Sequence, residues 1–318
     1  MDYKKLIKSR KLRLQILALL RFVPDPIMLK LQYRIKTGKR LDLKNPKRFT
    51  EKLQWYKLYY KDPTMVTCVD KYDVRDYVLS KGFEEILIPC YGVFQSFEEI
   101  NFDSLPSSFV IKDTLGGGGN SVIVVKDKST ADFYAIEKQC REWVSQKHRQ
   151  KGGGREWPYY GGKEHRIIIE KFIDADPERG GLIDYKFFCF HGKTAFIYVI
   201  ADRIMGKVAK LGIYDPEFHL LPVSRCDEEA LSRAIPKPEN FDEMKRIAEM
   251  LASDFPEARI DLYSQDHKVL FGEITFYDGS GYMKFDPDNF DFEIGEKFIL
   301  PNKYDKASRR PCSNRQKL

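Results

Sequence analysis

Two carboxylates in the last third of the chain have the spacing of a metal site. Between Arg259 and Thr275 the sequence reads R-I-D-L-Y-S-Q-D-H-K-V-L-F-G-E-I-T, with the apolar–polar alternation of strands that bury one face. The period predicts two short strands joined by a polar turn over 264–268, with Ile260 and Leu262 on one side and Arg259 and Asp261 on the other. On the return strand Gly272 and Ile274 share one face, and Glu273 and Thr275 the opposite one. With the turn centred near Asp266 and His267, Asp261 and Glu273 lie close to cross-strand partners. Like charges so placed repel, by about 0.2–1 kcal/mol. A hard cation reverses the sign, because Mg²⁺ takes one or two protein carboxylates and completes its shell with phosphate oxygens and water. The chemistry to expect is a Mg²⁺–nucleotide site; the alternative is a solvated hairpin with scattered charge.

Other groups could serve the same nucleotide. In F-V-I-K-D-T-L-G-G-G-G-N-S-V-I-V-V a strand ends in Lys112, the run Gly116, Gly117, Gly118, Gly119 follows, and a second strand returns. Glycine lets a backbone approach phosphates and aim successive N–H groups at them, with Lys112 as a point charge. The loop lacks G-K-[ST] and no helix follows, so it is neither a P-loop nor a dinucleotide fingerprint; an ordinary flexible turn is the alternative. The apolar strand I-I-I-E-K-F-I ends in Glu170 and Lys171, a carboxylate and strand edge suited to a purine amino group and ring nitrogen. Asp184, Lys186, Asp202 and Arg203 interrupt aromatic and aliphatic strands, where a buried cation needs an anion; a triphosphate or an internal ion pair would serve. Gly279, Ser280 and Gly281, directly after the carboxylate strand, could hold an anionic acceptor through backbone N–H groups, or form a tight turn. Asp286 and Asp288 make the D-x-D of nucleotide-sugar glycosyltransferases, and Trp143, Trp157, Tyr159 and Tyr160 could frame a sugar. The histidines show no ligand spacing, and no kinase H-R-D or D-F-G occurs.

Positioning these residues takes a mixed fold. Helical spacing predicts a basic amphipathic helix over 1–23 and further helices over 27–37, 49–60, 64–80, 131–147 and 241–253. Strands are expected from Ile86 to Phe94, on both sides of the glycine run, over 165–173, and through D-Y-K-F-F-C-F and T-A-F-I-Y-V-I. A glycine-rich loop runs from Lys151 to Gly162. Strands and helices without regular β-α-β alternation indicate an α+β architecture.

Charge narrows the partners. The 318 residues carry a net +7, but residues 1–48 hold 15 Lys and Arg against three Asp, a net +12, and residues 302–318 a net +5, leaving −10 on the body. A nucleic-acid-binding module carries its positive charge on the folded domain, so no nucleic-acid partner is expected. Basic ends on an acidic body fit an anionic membrane surface or polymer, or solvated termini. Six scattered cysteines without a C-x-x-C pair argue against a zinc site or disulfide scaffold. Ile16 to Leu20 is too short to span a bilayer and no signal-peptide cleavage site follows. The expectation is a cytoplasmic protein with room for peripheral contact at the inner face of the membrane.

In order, Lys71, Lys112 with its glycine run, Glu170–Lys171, Arg259, Asp261 and Glu273-x-Thr275 resemble the ATP-grasp superfamily, whose two α+β lobes with antiparallel sheets grip ATP. The chain looks most like the TupA-like ATP-grasp group, named for teichuronopeptide biosynthesis and found in polysaccharide gene clusters. The resemblance covers nearly all of 20–300 through R-F-T-E-K-L-Q-W-Y-K-L-Y, D-K-Y-D-V-R-D-Y-V, L-I-P-C-Y-G-V-F, D-Y-K-F-F-C-F-H-G-K, I-P-K-P-E-N and F-G-E-I-T-F-Y-D-G-S-G. It implies ATP and Mg²⁺ as cofactors. Lys71, Lys112 and the glycines would contact phosphates, and Glu170, Lys171, Phe172 and Ile173 the adenine. Asp261, Glu273 and Thr275 would hold Mg²⁺, and Arg259, with Lys186 and Arg203, would stabilise transferring charge. Thr275 stands where most of the superfamily has Asn, and Asp113-Thr114-Leu115 where relatives have Asn-His.

The organisation implied is a basic helical segment over 1–60, a linking α-β region over 61–105, a lid subdomain over 106–175, a metal-binding subdomain over 176–301 and a basic tail over 302–318. The implied activity is ATP-dependent amide formation through an acyl phosphate, on a uronic acid, amino sugar or amino acid, lipid-linked or free, of a surface polysaccharide. The alternatives are a glycosyltransferase, a sugar kinase and a non-catalytic nucleotide-binding scaffold.

Overall fold

A computed structural model describes residues 9, 17, 19–117, 121–145, 155–160, 163–174, 181–201, 209–231 and 233–302. Helix α1 (Asp25–Thr37) starts after Pro24, carries Pro26 in its first turn, and stops at Gly38, whose φ of 79° is the left-handed C-cap glycine adopts at no steric cost. Helix α2 (Phe49–Tyr59) is opened by the Glu51 carboxylate, which accepts the Arg48 N–H at 3.1 Å. The single helix expected over 64–80 is two, α3 (Pro63–Cys68) and α4 (Val74–Ser80). Between them the Asp70 carboxylate accepts the N–H groups of Tyr72 and Asp73 at 2.9 and 3.0 Å, and an aspartate bonding its local backbone competes with helix continuation. The break turns Lys71 out of the helix.

Four strands follow: β1 (Cys90–Phe94), β2 (Phe109–Asp113), β3 (Val122–Val125) and, after helix α5 (Phe133–Val144), β4 (Ile167–Lys171). They form an antiparallel sheet in the order β1-β4-β2-β3. Phe109, Ile111, Ile167 and Ile169 bury one face against Ile136, Cys140 and Trp143 of α5. The first strand is shorter than the sequence suggests: Glu84–Ile86 is a 3-10 turn, and Pro89 has no N–H to give a ladder.

The larger sheet contains β5 (Asp184–Phe190), β6 (Lys193–Ala201), β7 (Lys210–Tyr214), β9 (Glu229–Ala230), β10 (Glu257–Gln265) and β11 (Lys268–Thr275), in the order β11-β10-β5-β6-β7-β9. The short β8 (Ser224–Arg225) pairs with β12 (Phe285–Asp286). Helix α6 (Phe241–Ala252) lies on one face, where Phe187 meets Phe241 with ring centroids 5.9 Å apart. On the other face Phe49 of α2 meets Phe188 and Phe190 at 6.3 and 5.4 Å, and Phe298, just after helix α7 (Phe290–Lys297), stacks on Phe190 at 5.1 Å.

The hairpin turns at Asp266 and His267, both with positive φ, and Gln265 faces Lys268. Counted back from Gln265 and Lys268 a regular ladder would set Asp261 against Gly272; it lies opposite Glu273 instead, and it faces Lys186 on the other side. One detail differs from strict alternation. A bulge between Asp261 and Leu262 pairs Leu262 with Phe271, so Phe271 rather than Gly272 joins Ile274 on the buried side. Gly272 is the extra residue, and two side chains on one pleat slot explain why the smallest stands there.

The basic helix expected over 1–23 lies largely outside the described residues; Leu20–Phe22 form a 3-10 turn. The basic tail from 303 onward also lies outside them.

Helix α7 crosses the start of α2 at backbone contact. A Cβ on Gly295 would run into the Lys47 carbonyl oxygen and sit 2.8 Å from the Phe49 nitrogen. Replacing Gly295 by Ala is expected to destabilise the protein by about 1–3 kcal/mol, the usual cost of overpacking. Denaturant unfolding reads it, and an unchanged midpoint would show that the two helices are not held this closely.

Candidate functional site

A buried guanidinium organises the polar face of the larger sheet. Arg259, Asp261, Lys186 and Asp184 occupy alternate positions of β10 and β5, so all point to the α2 side. Arg259 Nε and Nη2 donate to the two carboxylate oxygens of Asp261 at 2.7 and 2.8 Å. Nη2 also donates to Glu273 Oε1 at 2.7 Å and to Thr275 Oγ1 at 3.0 Å, and Nη1 to Asp278. Lys186 Nζ pairs with Asp184 at 2.8 Å and with Asp261. Of the two partners the sequence left open for Lys186, the internal one is present.

These contacts set the ionisation. Burial pushes the Asp261 carboxyl up to about 6 against the pull of Arg259 and Lys186. The Glu273 side chain is 41% exposed; partial desolvation opposes its ionisation, but Arg259, Lys71 and Lys186 hold it down to about 2. Burial works against the Lys186 ammonium, and Asp261 and Asp184 still hold its pKa above the usual lysine value.

The smaller sheet contributes from across the site. Lys112 Nζ donates to Glu170 Oε2 at 2.6 Å, and Arg75 stands 3.8 Å from the same carboxylate. Lys71 is tied to the loop after β2: its N–H meets the Thr114 carbonyl at 2.9 Å and its Nζ donates to the Gly116 carbonyl. Burial depresses the Lys71 amine, while Glu273 and Asp113 pull it back up. Lys71 therefore lies within electrostatic reach of both the glycine loop and the hairpin. Arg166 clamps the turn that carries Lys71, through Asp70 at 2.9 Å and Asp73 at 2.8 Å. Gly116 is required sterically, because a Cβ there would overlap the Ser121 side chain. Gly117 is open; Gly118, Gly119 and Arg203 lie outside the described residues. Lys171 is exposed, and Phe172 and Ile173 are half-buried just past the strand.

The turn after β11 is held from below. Gly279, Ser280 and Gly281 have φ of 50°, 55° and 66°, and the Ser280 N–H is spent on the Tyr277 carbonyl at 2.8 Å. Lys57 Nζ, wholly buried in α2, donates to the Ser280 carbonyl at 2.6 Å, and Gln54 Nε2 to the Ser280 and Gly281 carbonyls at 2.9 and 2.7 Å. Ser280 Oγ donates to Glu156, whose carboxylate is 3.7 Å from Lys57. Burial lowers the Lys57 amine to about 8. Sequence reasoning missed Lys57, Gln54, Glu156 and Arg225. Arg225 grips Asp227 at 2.6 and 3.0 Å and Asp278 at 3.2 Å, so Asp278 is shared by two guanidiniums. An amphipathic pattern marks a buried position but not its partner, and no signal singled these residues out.

The oxygens suit a hard divalent cation. Asp261 and Glu273 face each other, the Thr275 hydroxyl is 3.1 Å from Glu273, and the cationic groups of Arg259 and Lys186 are drawn among them. Among the described residues no three His, Cys, Asp or Glu side chains form a cage of their own. Two carboxylates and a hydroxyl are what Mg²⁺ takes when phosphates supply the remaining oxygens. The D-x-D pair is placed elsewhere. Asp288 is held bidentately by Arg48 at 2.8 and 3.0 Å and also by Lys39, which lower its pKa to about 2. It ties the end of β12 to α2.

Residues 51–299 match a family model described as TupA-like ATPgrasp. Among solved structures the chain is similar to D-alanine–D-alanine ligase from Bacillus anthracis, at 19% identity over 66% of this chain and 57% of that one, TM-score 0.42. It is similar to the Helicobacter pylori D-alanine–D-alanine ligase at 18% identity over 73% and 57%, TM-score 0.39. It is similar also to a RimK domain ATP-grasp protein from Sphaerobacter thermophilus, at 14% identity over 74% and 68%, TM-score 0.40. The chain thus spans little more than half the length of the two ligases, and likenesses this distant say nothing of its activity. No curated protein matches it.

One buried acid beside the cluster yields a pH test. Glu257 is fully buried on β10, and neither carboxyl oxygen has a hydrogen-bond partner among the described residues. Burial, reinforced by Asp278, raises its pKa well above the ordinary 4.5 despite Arg259. The folded state binds this proton more tightly than the unfolded chain, so the contribution is complete below about pH 4.5 and is lost as pH rises through the folded value. Glu257→Gln stays neutral throughout. The melting temperature of the wild type relative to this variant should fall as pH rises above 4.5; a difference independent of pH would refute the neutral buried carboxyl.

Proposed function

The chain belongs to the TupA-like ATP-grasp family, and on that premise we propose that it is an ATP-dependent ligase joining a carboxylate to an amine through an acyl phosphate. The observation that carries the reading is the convergence of two sets of groups, one from the smaller sheet and the turn between α3 and α4, the other from the larger sheet. Lys71, Lys112 and the Gly116 loop stand on one side, and Arg259, Asp261, Glu273 and Thr275 on the other. Lys71 is the link, since it bonds the glycine loop and is pulled by Glu273.

In this reading Asp261 and Glu273, with Thr275, would hold Mg²⁺, giving up for it some of the bonds they make to Arg259 and Lys186, and the ion would supply neutralisation of phosphate charge. Lys71 and Lys112 neutralise the remaining phosphate charge, and Glu170 takes the adenine amino group, exchanging its present bond to Lys112. Arg259 keeps its guanidinium beside the transferring phosphoryl group, where preorganised charge stabilises the transition state. The substrate carboxylate attacks the γ-phosphorus, ADP leaves, and the amine displaces phosphate from the acyl phosphate with loss of a proton to form the amide. The loop at Gly116 and Gly117 excludes water that would hydrolyse the intermediate. The acceptor proposed is a uronic acid, amino sugar or amino acid of a surface polysaccharide, a reading the family resemblance supports, with the turn over 278–281 beside Arg259 as the position proposed for it.

Calorimetry should find Mg²⁺–ATP binding in the wild type, weakened at least tenfold in Asp261→Ala and unchanged in Asp288→Ala. Binding of a UDP-sugar with no ATP signal would sink the reading. Incubation with ATP and pairs of uronates and amino acids should release ADP and phosphate only when both partners are present, with mass spectrometry showing loss of water between them. A phosphorylated acceptor would make the protein a kinase instead.

A further inference from the structure

Helix α1 is apolar on both sides, which a helix serving only the core has no need to be. Its inner face, Met28, Leu29 and Tyr33, is buried, and Leu29 and Tyr33 pack with Leu41, Leu43, Trp55 and Tyr282. Its outer face presents Ile27, Leu31 and Ile35, 58%, 48% and 43% exposed, at successive i, i+4 positions. Phe22 and Leu19, just before the helix, extend the stripe and are more exposed still. Lys30 and Arg34 are exposed on the same face, with Arg21 beside Phe22. No acidic side chain stands among the exposed residues of this helix; Asp25 is turned inward to Arg155 at 2.7 Å.

We propose that this face docks the protein on an anionic lipid bilayer. Aliphatic and aromatic side chains interleaved with Lys and Arg match the two parts of a bilayer surface, acyl chains below and negative headgroups above. The helix spans roughly 20 Å at 1.5 Å per residue and would lie in the plane of the interface. A second copy of the chain is a poorer occupant, because a twofold contact sets Lys30, Arg34 and Arg21 against their own counterparts. The surrounding sequence carries the same sign, with a net +12 over residues 1–48. Among the described residues no helix is long and apolar enough to cross a membrane, so the contact is peripheral.

The placement has a consequence for the site. On the inner side of α1, Gln32 accepts the Tyr282 hydroxyl at 2.6 Å, and Tyr282 directly follows the turn over 278–281. Arg155 bonds the carbonyls of Leu20 and Val23 at 2.8 and 3.1 Å as well as Asp25, and its neighbour Glu156 holds Ser280. A docked α1 sets that turn about one helix diameter, roughly 10 Å, from the lipid surface. Under the ligase reading, an acceptor carried on a lipid would reach it directly. The docking itself does not depend on that reading.

Flotation with phosphatidylcholine vesicles, with and without phosphatidylglycerol, tests the proposal without any enzymatic readout. The full chain should float with the phosphatidylglycerol vesicles, several-fold less with phosphatidylcholine alone, and less in high salt. The triple variant Ile27→Ser, Leu31→Ser, Ile35→Ser and the double variant Lys30→Glu, Arg34→Glu should each lose at least tenfold in partitioning. Both change exposed side chains, and unchanged thermal melting and Mg²⁺–ATP calorimetry would show that fold and nucleotide site are intact. Three results would overturn the proposal. They are absence of the wild type from every vesicle fraction, binding that persists in both variants and so belongs to other basic residues, and a dimer in sedimentation that the triple variant abolishes.

Discussion

A buried guanidinium among carboxylates is the interaction on which the rest of this structure depends. Arg259 reaches Asp261, Glu273, Thr275 and Asp278 at once, and so ties two strands and the turn that follows them into one unit. Arginine suits this position because its five donors are set in a rigid plane. Lysine at the neighbouring position does something narrower, pairing with Asp184 and Asp261. Removing one member of such a buried set leaves a charge without its partner, which costs about 3–5 kcal/mol. The charges therefore hold one another in place and fix the shape of this polar face.

The helix that covers this face has two roles that compete for its surface. Phe49 and Tyr56 of α2 pack into the aromatic core, while Gln54 and Lys57 on the same helix bond the carbonyls of Ser280 and Gly281. The core contacts fix where the helix lies, and the polar contacts use that position to hold a turn with three consecutive left-handed residues. Close approach at Gly281 follows from the same packing, since a Cβ there would come within 3.0 Å of the Leu53 Cβ. Helix α7 completes the arrangement by resting against the start of α2 at Gly295 and through the Asp288–Arg48 and Asp291–Thr50 bonds.

The smaller sheet is joined to the larger body both by charge and by apolar contact, for Leu115 after β2 is buried in the larger core. Asp70 breaks a helix the sequence pattern would continue, and the same carboxylate then receives Arg166 from the edge of β4. One side chain thus ends a helix, frees Lys71 from it and anchors the segment between the sheets. Lys71 sits in that segment, bonded to the glycine loop on one side and drawn by Glu273 on the other.

Much of this was legible in the chain. Alternation between Arg259 and Thr275 brought Asp261 and Glu273 close to each other across the hairpin, and the turn at Asp266 and His267 falls where the polar residues are; the bulge makes the two direct partners. The ends of α1 follow from Pro24 and Gly38, and the α+β mixture from the separate periods of helix and strand. The bulge at Gly272, the helix break at Asp70 and the short first strand were not legible, because each turns on one local hydrogen-bond choice that a periodic pattern does not weigh. By itself the sequence determined which residues share a face, since the two-residue repeat of a strand is a local property of the backbone. Only the tertiary structure decided which charge meets which: Arg259 with Asp278, Lys57 with Ser280, Arg48 with Asp288. The physical reason is that attraction between charges depends on their separation and on how much water lies between them, and both are set only when distant segments pack.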